Sequence, residues 1–173
     1  MPARYFLDWE FIEDGHTIDP ISVGIVDDAG LEYYAVFEDA PWERIRENEW
    51  LTANVVPQLP FPDGWKPREQ IRSDVKYFLS PFVDGEFRGN IELWTWFGAY
   101  DHLCLAQLFG SMADYPIHLP KWSNDARQWH YQLGEPDLPE QQSGLHDALE
   151  DARHLRRIHA HLTKVAAQWS PAI

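Results

Sequence analysis

An apolar segment near the start of the chain contains two carboxylates, and this combination limits the possible folds most. Residues 5–11 read Tyr-Phe-Leu-Asp-Trp-Glu-Phe, rich in side chains that favour a β-strand. Alternate side chains of a strand share a face, so Asp8 and Glu10 would lie about 7 Å apart on one side. Partly buried like charges at this distance raise each other's pKa unless a cation lies between them. The segment therefore predicts either a hard-cation site or a strand end that emerges into water.

The order of predicted strands and helices indicates an α/β fold. Three β-like segments joined by short turns come first and predict an antiparallel meander. A more apolar fourth strand follows later and is a candidate for the centre of the sheet. Helices then alternate with strands, and the helix that contains 71–79 is predicted to begin at Pro67. This order favours a mixed sheet flanked by helices. The predicted strands are 5–11, 21–27, 32–37 and 91–97, and the other predicted helices are 42–50, 100–109, 125–131 and 147–168.

The balance of charges excludes some classes of partner. The 173 residues include 28 acidic side chains against 14 Lys plus Arg, which gives a formal net charge of −14. Proteins that wrap nucleic acid electrostatically need a surplus of Lys and Arg, and so do proteins that bind anionic membranes. Because 45% of the residues are hydrophobic, disorder is disfavoured. The length indicates a single domain over residues 1–173 with its own core.

Cysteine content and hydropathy indicate the compartment. Cys104 is the single cysteine, which excludes an internal disulfide and a cysteine-based zinc site. No apolar run approaches the ~18 residues that span a bilayer. The first residues lack the features of a signal peptide. We therefore expect a soluble, cytoplasmic protein with no membrane partner.

Another carboxylate, Asp101, stands near the start of a predicted helix. An N-cap or a partner of the helix dipole is the ordinary explanation for an Asp at this position. The alternative is a functional site, because the helix directly follows the strand 91–97 and α/β sheets place their sites at the carboxyl ends of strands. The apolar stripe of the same helix is predicted to be Leu105, Leu108 and Met112.

The start of the last predicted helix contains further acidic residues. Asp147 and Glu150 have the spacing of a capping box, which explains them structurally. Asp151 lies on the inward, apolar face of the helix, where a charged residue is seldom left unpaired. If Asp147 caps the helix, His146 lies in the preceding loop and is free to reach back over a site.

In chain order, these candidate residues resemble a known family. Residues 8–10, Asp-Trp-Glu, resemble the first motif of the DEDD superfamily of 3′–5′ exonucleases. Residues 100–101, Tyr-Asp, resemble the second motif. Residues 146–152 resemble the third motif of the RNase T-like subgroup that uses a histidine. Four separate segments thus match one pattern.

The resemblance covers about residues 4–165, nearly the whole chain. Residues 10–16 and 96–101 look most like small bacterial polyadenylate-specific 3′-exoribonucleases. The resemblance implies an RNase H-like fold with a mixed five-stranded sheet and helices on both faces. It therefore implies a fifth strand, which we expect after Leu119. It also implies a homodimer.

The resemblance further implies a catalytic site for two Mg²⁺ or Mn²⁺ ions with a histidine base. His146 would be the general base toward the attacking water. The substrate would be the 3′ end of single-stranded RNA, with nucleoside 5′-monophosphates as products, and the preference for poly(A) rests on the resemblance alone. The implied metal ligands are Asp8, Glu10, Asp101 and Asp151.

Phe11 and Ile12 stand where many relatives have small residues after the first motif. The resemblance implies that these positions contact the terminal nucleotide, and Phe11 would pack against it. Trp9 points away from Asp8 and Glu10 by alternation, so we expect it in the core.

Three other functions remain open from the residues. The first is a DNA 3′–5′ exonuclease on the same scaffold, since the residues do not show a contact to a 2′-hydroxyl. The second is a catalytically inactive RNase H-like module that binds nucleic acid. The third is a metal-dependent enzyme acting on nucleotides or another phosphoester.

Two basic clusters allow two explanations. They are solvated faces that pair with nearby acids, or they form a track for phosphates. The clusters are Arg68, Arg72 and Lys76 in one helix and Arg153, Arg156 and Arg157 in another.

Overall fold

A mixed five-stranded sheet with helices on both faces organises the computed structural model, which describes residues 2–83, 86–87, 89–141 and 143–168. The end of the expected domain, 169–173, lies outside the described residues. The strands are β1 (Ala3–Glu13), β2 (Ile18–Asp27), β3 (Glu32–Val36), β4 (Phe82–Val83), β5 (Glu86–Phe87), β6 (Ile91–Thr95) and β7 (Asn124–Asp125). The helices are α1 (Trp42–Glu47), α2 (Glu49–Asn54), α3 (Arg68–Phe78), α4 (Gly98–Phe109), α5 (Ala126–Gln132) and α6 (Ala148–Gln168).

The main sheet has the order β3-β2-β1-β6-β7. β1, β2 and β3 form the predicted antiparallel meander, and β6 pairs parallel to β1. The expected fifth strand is β7, which has two residues and pairs parallel to β6. The mixed α/β sheet predicted from the sequence is therefore confirmed.

Alternation along β1 divides the apolar interior in two. Leu7 and Trp9 belong to the larger cluster, together with Leu105 of α4. Phe6 faces the other way and packs in a cluster with Leu155 of α6. Trp9 is 3% exposed, so the expectation that it lies in the core is confirmed.

Two predicted helices differ at their boundaries. The helix expected over 42–50 is two helices, because Asn48 is extended (φ −85°, ψ 106°) and its side chain accepts a hydrogen bond from the Leu51 N–H, which begins α2. Pro67 is extended (ψ 148°) and precedes α3 instead of forming its first residue. An Asn that caps one helix necessarily ends the one before it.

Two apolar positions also differ from the prediction. Met112 lies beyond the end of α4 and is 71% exposed, so only Leu105 and Leu108 of the predicted stripe are buried. The sequence analysis did not predict the hairpin of β4 and β5, in which the rings of Phe82 and Phe87 lie 5.4 Å apart.

The last helix is amphipathic. α6 buries Ala152, Leu155, Ile158 and Leu162 on one face. In the part of the chain that the structure describes, we find no helix with the length and apolar character needed to cross a membrane.

Candidate active site

Asp8 and Glu10 lie on the face of β1 that packs against α6, as alternation predicts. Together with Asp151 of α6 they form a cluster in which one carboxylate oxygen from each residue lies within 4.8 Å of the others. Glu10 is 8% exposed, so the strand does not emerge into water here. Three oxygen ligands at such distances suit a hard divalent cation.

A glycine on β2 allows α6 to approach the sheet at this point. Gly24 pairs directly with Asp8 across the two strands. A Cβ at Gly24 would overlap the backbone carbonyl of Ala148 and would lie 2.5 Å from the Cα of Leu149. The first turn of α6 therefore rests on the β2 backbone, and this contact brings Asp151 to the carboxylates of β1.

Asp101 reaches the site from the opposite side of β1. β6 ends at Thr95, so the edge of β1 beyond that point has no neighbouring strand. The chain turns at Phe97, which has a left-handed backbone (φ 60°), and enters α4. Asp101 Oδ1 then accepts a hydrogen bond from the Trp9 N–H of β1 at 3.2 Å.

This placement decides between the two explanations for Asp101. α4 begins at Gly98, so Asp101 lies within its first turn and is not its N-cap. It is 5% exposed and accepts a hydrogen bond from a strand that carries two other carboxylates. The functional explanation is therefore favoured.

Asp147 caps α6 as predicted. Its Oδ1 accepts hydrogen bonds from the backbone N–H groups of Leu149 (3.0 Å) and Glu150 (2.9 Å). The reciprocal half of a capping box does not form, because the Glu150 carboxylate instead accepts from Ser143 and Arg153. The cap fixes the helix start one residue after His146.

His146 lies in the loop before α6 and has a left-handed backbone (φ 66°). Its N–H donates to Asp151 Oδ2 at 3.2 Å, while its ring contacts Trp50 of α2 edge-on, with 4.8 Å between ring centroids. The amide of Gln141 donates to the other oxygen of Asp151. The loop that holds His146 is thereby tied to Asp151 through both carboxylate oxygens.

Burial and mutual repulsion shift the pKa values of these carboxylates upward. Burial, followed by the charges of Asp151 and Asp147, raises the pKa of Glu10 to about 8. Burial, followed by the charge of Asp101, raises the pKa of Asp8 well above its ordinary value. Burial also raises the pKa of Asp101, against the opposing effect of the Trp9 N–H.

The pKa shifts have a consequence for ligand binding. A cluster that resists ionisation by itself would be stabilised in its ionised form by a bound cation. The donor set, four carboxylates with raised pKa values and no cationic side chain bonded to them among the described residues, fits divalent ions of the Mg²⁺ or Mn²⁺ type.

A cleft of about 550 Å³ adjoins the carboxylates. Asp8 and Asp101 line it on one side, and aromatic side chains line the rest. The rings of Phe11 and Tyr100 are stacked, with an interplanar angle of 9°. The aromatic residues of the cleft are Trp9, Phe11, Trp96, Phe97 and Tyr100.

Ile12 differs from the expectation that it contacts substrate. Its side chain is 6% exposed and lies in the same core cluster as Trp9. A bulge between Glu10 and Phe11 shifts the alternation by one residue, so Ile12 turns into the core instead of facing the carboxylates. Of this pair, Phe11 lines the cleft.

Sequence reasoning missed two polar residues at the site, Gln141 and Asp125. Asp125 accepts hydrogen bonds from the N–H groups of Gly98 (3.2 Å) and Arg127 (2.8 Å), so it joins the starts of α4 and α5. Its place directly before a predicted helix was an available signal for an N-cap. Gln141 gives no such signal, because its partner is ten residues away.

The basic clusters pair with acidic side chains. Arg68 lies 3.4 Å from Asp39, and Arg153 donates to Glu32 at 2.7 Å. Arg72 contacts Glu69 at 3.3 Å. This pairing favours solvated, ion-paired faces over a phosphate track.

Comparison with known proteins places the chain in a family. Residues 3–163 match the family described as the 3′–5′ exoribonuclease Rv2179c-like domain. Two Mycobacterium tuberculosis proteins, the 3′–5′ exoribonucleases Rv2179c (strain ATCC 25618 / H37Rv) and MT2234.1 (strain CDC 1551 / Oshkosh), are each 46% identical over 157 residues. Each alignment covers 89% of this chain and 90% of the relative.

A structural likeness supports the fold independently. The solved structure of a 3′-exonuclease that recognises the 3′ end of the histone mRNA stem-loop has a TM-score of 0.57, covering 94% of this chain and 81% of that one. At 10% identity it shows the fold alone, and it confirms the expected RNase H-like α/β type. The family match confirms the expected enzyme class: the chain belongs to the Rv2179c-like family of 3′–5′ exoribonuclease domains.

Proposed function

We propose that this chain removes nucleotides from the 3′ end of single-stranded RNA, using two divalent ions and His146 as the general base. The observation that supports it most is the convergence of carboxylates from β1, α4 and α6 beside a cleft lined by aromatic rings. The family match and the 46% identity to two named exoribonucleases support the same activity.

Four carboxylates would hold the ions: Asp8, Glu10, Asp101 and Asp151. Bound there, divalent ions would lower the pKa of an attacking water and stabilise the departing 3′-oxygen. Asp101 is held in place by the Trp9 N–H, and Asp151 by Gln141 and the His146 N–H. These hydrogen bonds orient the ligands before substrate arrives.

His146 would take the proton of the attacking water. An imidazole titrates near neutral pH, which suits a general base. The His146 N–H is bonded to Asp151, so the residue is anchored beside the carboxylate cluster while its ring contacts Trp50. Rotation of the side chain away from Trp50 would bring the imidazole toward the water.

The aromatic cleft would take the nucleotides at the 3′ end. Unpaired bases stack on aromatic rings in proteins that bind single strands. The stacked pair of Phe11 and Tyr100 supplies such a surface next to Asp101. The net charge of −14 disfavours a long electrostatic groove, so contact with few nucleotides fits this chain best.

RNA homopolymers labelled at the 3′ or the 5′ end test the activity directly. We expect Mn²⁺- or Mg²⁺-dependent shortening from the 3′ end, release of 5′-monophosphates and the fastest decay for poly(A). The DNA counterparts should be degraded more slowly. Equal or faster cleavage of DNA would support a DNA exonuclease instead, and no cleavage of either with Mn²⁺ bound would support an inactive binding module.

Two substitutions test the assigned roles. His146→Ala should lower turnover by at least ~100-fold and leave Mn²⁺ binding intact, because it removes only the base. His16→Ala, on an exposed turn, is the control. Asp8→Asn should weaken Mn²⁺ binding in calorimetry. Near-normal turnover of His146→Ala, or unchanged two-ion binding by Asp8→Asn, would reject the respective role.

The proposal extends to assembly and location. We expect a homodimer, as the sequence resemblance implies, and a cytoplasmic protein. Sedimentation should then give about twice the 20.2 kDa mass of the chain.

A further inference from the structure

Two buried hydroxyl groups near Glu10 have no hydrogen-bond partner among the described residues. They are Ser22 Oγ on β2 and the hydroxyl oxygen of Tyr34 on β3. The two hydroxyls lie near one another without meeting hydrogen-bond geometry. Buried polar groups in native proteins are almost always paired, so two such groups together require an explanation.

The strand register places both hydroxyls on the carboxylate face of the sheet. Ser22 pairs directly with Glu10, and direct cross-strand neighbours have Cβ atoms about 5 Å apart on one face. Tyr34 pairs with Gly24, which in turn pairs with Asp8. Because Gly24 has no side chain, nothing from β2 separates Tyr34 from the carboxylates along that row.

Glu10 has the complementary deficit. Its carboxylate accepts no hydrogen bond from any of the described residues, although it is buried. An ionised carboxylate has about four acceptor positions, and a cation ligand uses only part of them. Two donors without acceptors therefore stand beside an acceptor without donors.

Tyr34 keeps its proton for this purpose. Burial, followed by the charge of Asp147, raises the pKa of its hydroxyl above the ordinary value, and the charge of Glu10 acts in the same direction. The hydroxyl is therefore a donor throughout the neutral range.

We infer that Ser22 and Tyr34 are positioning residues that donate hydrogen bonds to the Glu10 carboxylate when it binds a cation. The inference rests on the proposed metal site. In the metal-free chain, a protonated Glu10 needs no such donors, which accounts for the unpaired hydroxyls. With a cation bound, Glu10 is ionised, and the two donors orient it and stabilise its charge.

Tyr34→Phe and Ser22→Ala, each removing one hydroxyl, test the inference. We expect each to weaken Mn²⁺ binding about tenfold in calorimetry, the range measured when outer-shell partners of metal ligands are removed. The denaturation midpoint of the metal-free protein should stay equal or rise, because the group removed has no partner in that state.

Tyr33→Phe is a matched control on the same strand. The Tyr33 hydroxyl donates to Asp74 at 3.2 Å on the opposite face, so its loss should lower the midpoint of the metal-free protein and leave Mn²⁺ affinity unchanged.

Two results would overturn the inference. One is an unchanged Mn²⁺ affinity in both variants. The other is a lowered metal-free midpoint in both, which would mean that a buried water already pairs the hydroxyls. If the unaltered chain bound no Mn²⁺, the proposed metal site itself would fail, and this inference with it.

Discussion

A single methyl group at Gly24 tests how the site is assembled. Gly24 lies on β2 beside Asp8, and the first turn of α6 rests on its Cα. Gly24→Ala adds a Cβ that would lie 2.5 Å from the Cα of Leu149, where ordinary van der Waals contacts begin at 3.4 Å. Both neighbours are backbone atoms, so no side chain can rotate away, and α6 must move outward by roughly 1 Å.

This displacement has two calculable effects. Forcing an extra group into a packed interior costs about 1–3 kcal/mol of unfolding free energy. Moving Asp151 and the His146 loop by roughly 1 Å away from β1 should lower the exonuclease rate about 100-fold, the order found for misplacements of that size. Mn²⁺ affinity should fall as well, because the ligand oxygens of Asp8, Glu10 and Asp151 separate.

Denaturant unfolding, calorimetry with Mn²⁺ and single-turnover cleavage measure the three effects. Gly64→Ala is the matched control, since a Cβ there would meet no atom within 4 Å. It should leave cleavage unchanged and raise stability slightly, because alanine restricts the unfolded chain. If Gly24→Ala kept both the rate and the Mn²⁺ affinity of the unaltered protein, the close packing of α6 on β2 would not be what assembles the site.

Three further predictions concern charge and strain. In a chelator, the unfolding free energy should fall as pH rises from about 4.5 to about 8, because the folded chain retains on Glu10 (pKa raised from 4.5 to about 8) a proton that the unfolded chain releases. Glu10→Gln should reduce that slope in denaturant titrations at pH 5 and pH 8, and an unaltered slope would contradict the assignment. Phe97→Asn should raise KM without loss of thermal stability, because Asn tolerates the left-handed backbone (φ 60°) while the exposed aromatic wall is lost. Arg68→Ala should leave the salt dependence of RNA cleavage unchanged, because Arg68 is already paired with Asp39, and a shallower dependence would indicate a phosphate contact.

Local patterns in the sequence predicted most of the fold. The meander, the central strand and the long final helix follow from periodicity, and the structure has each of them. The hairpin of β4 and β5 was missed because two-residue strands have no period to detect. The break at Asn48 was missed because the apolar spacing continues through it, whereas the chain direction changes.

The candidate site was less accessible from the sequence. Asp8, Glu10 and Asp151 could be selected because each is a charge among apolar neighbours, and the structure brings them together. The partners that orient them could not be selected in this way. Gln141 meets Asp151 only through the fold of its loop, and the bulge after Glu10 that buries Ile12 has no signature in the residues themselves.

Electrostatics limits how such a site can hold RNA. With a formal charge of −14, the chain repels a polyanion at long range, and cations that could offset this repulsion are engaged elsewhere. Arg68 and Arg153 are each bonded to a carboxylate, and Arg72 donates to the Leu108 carbonyl as well as contacting Glu69. Attraction to RNA must therefore arise at the carboxylate cluster, where bound cations reverse the local charge, and from stacking in the aromatic cleft. Both features are confined to one end of the sheet, so the substrate that fits them is a short, unpaired 3′ end.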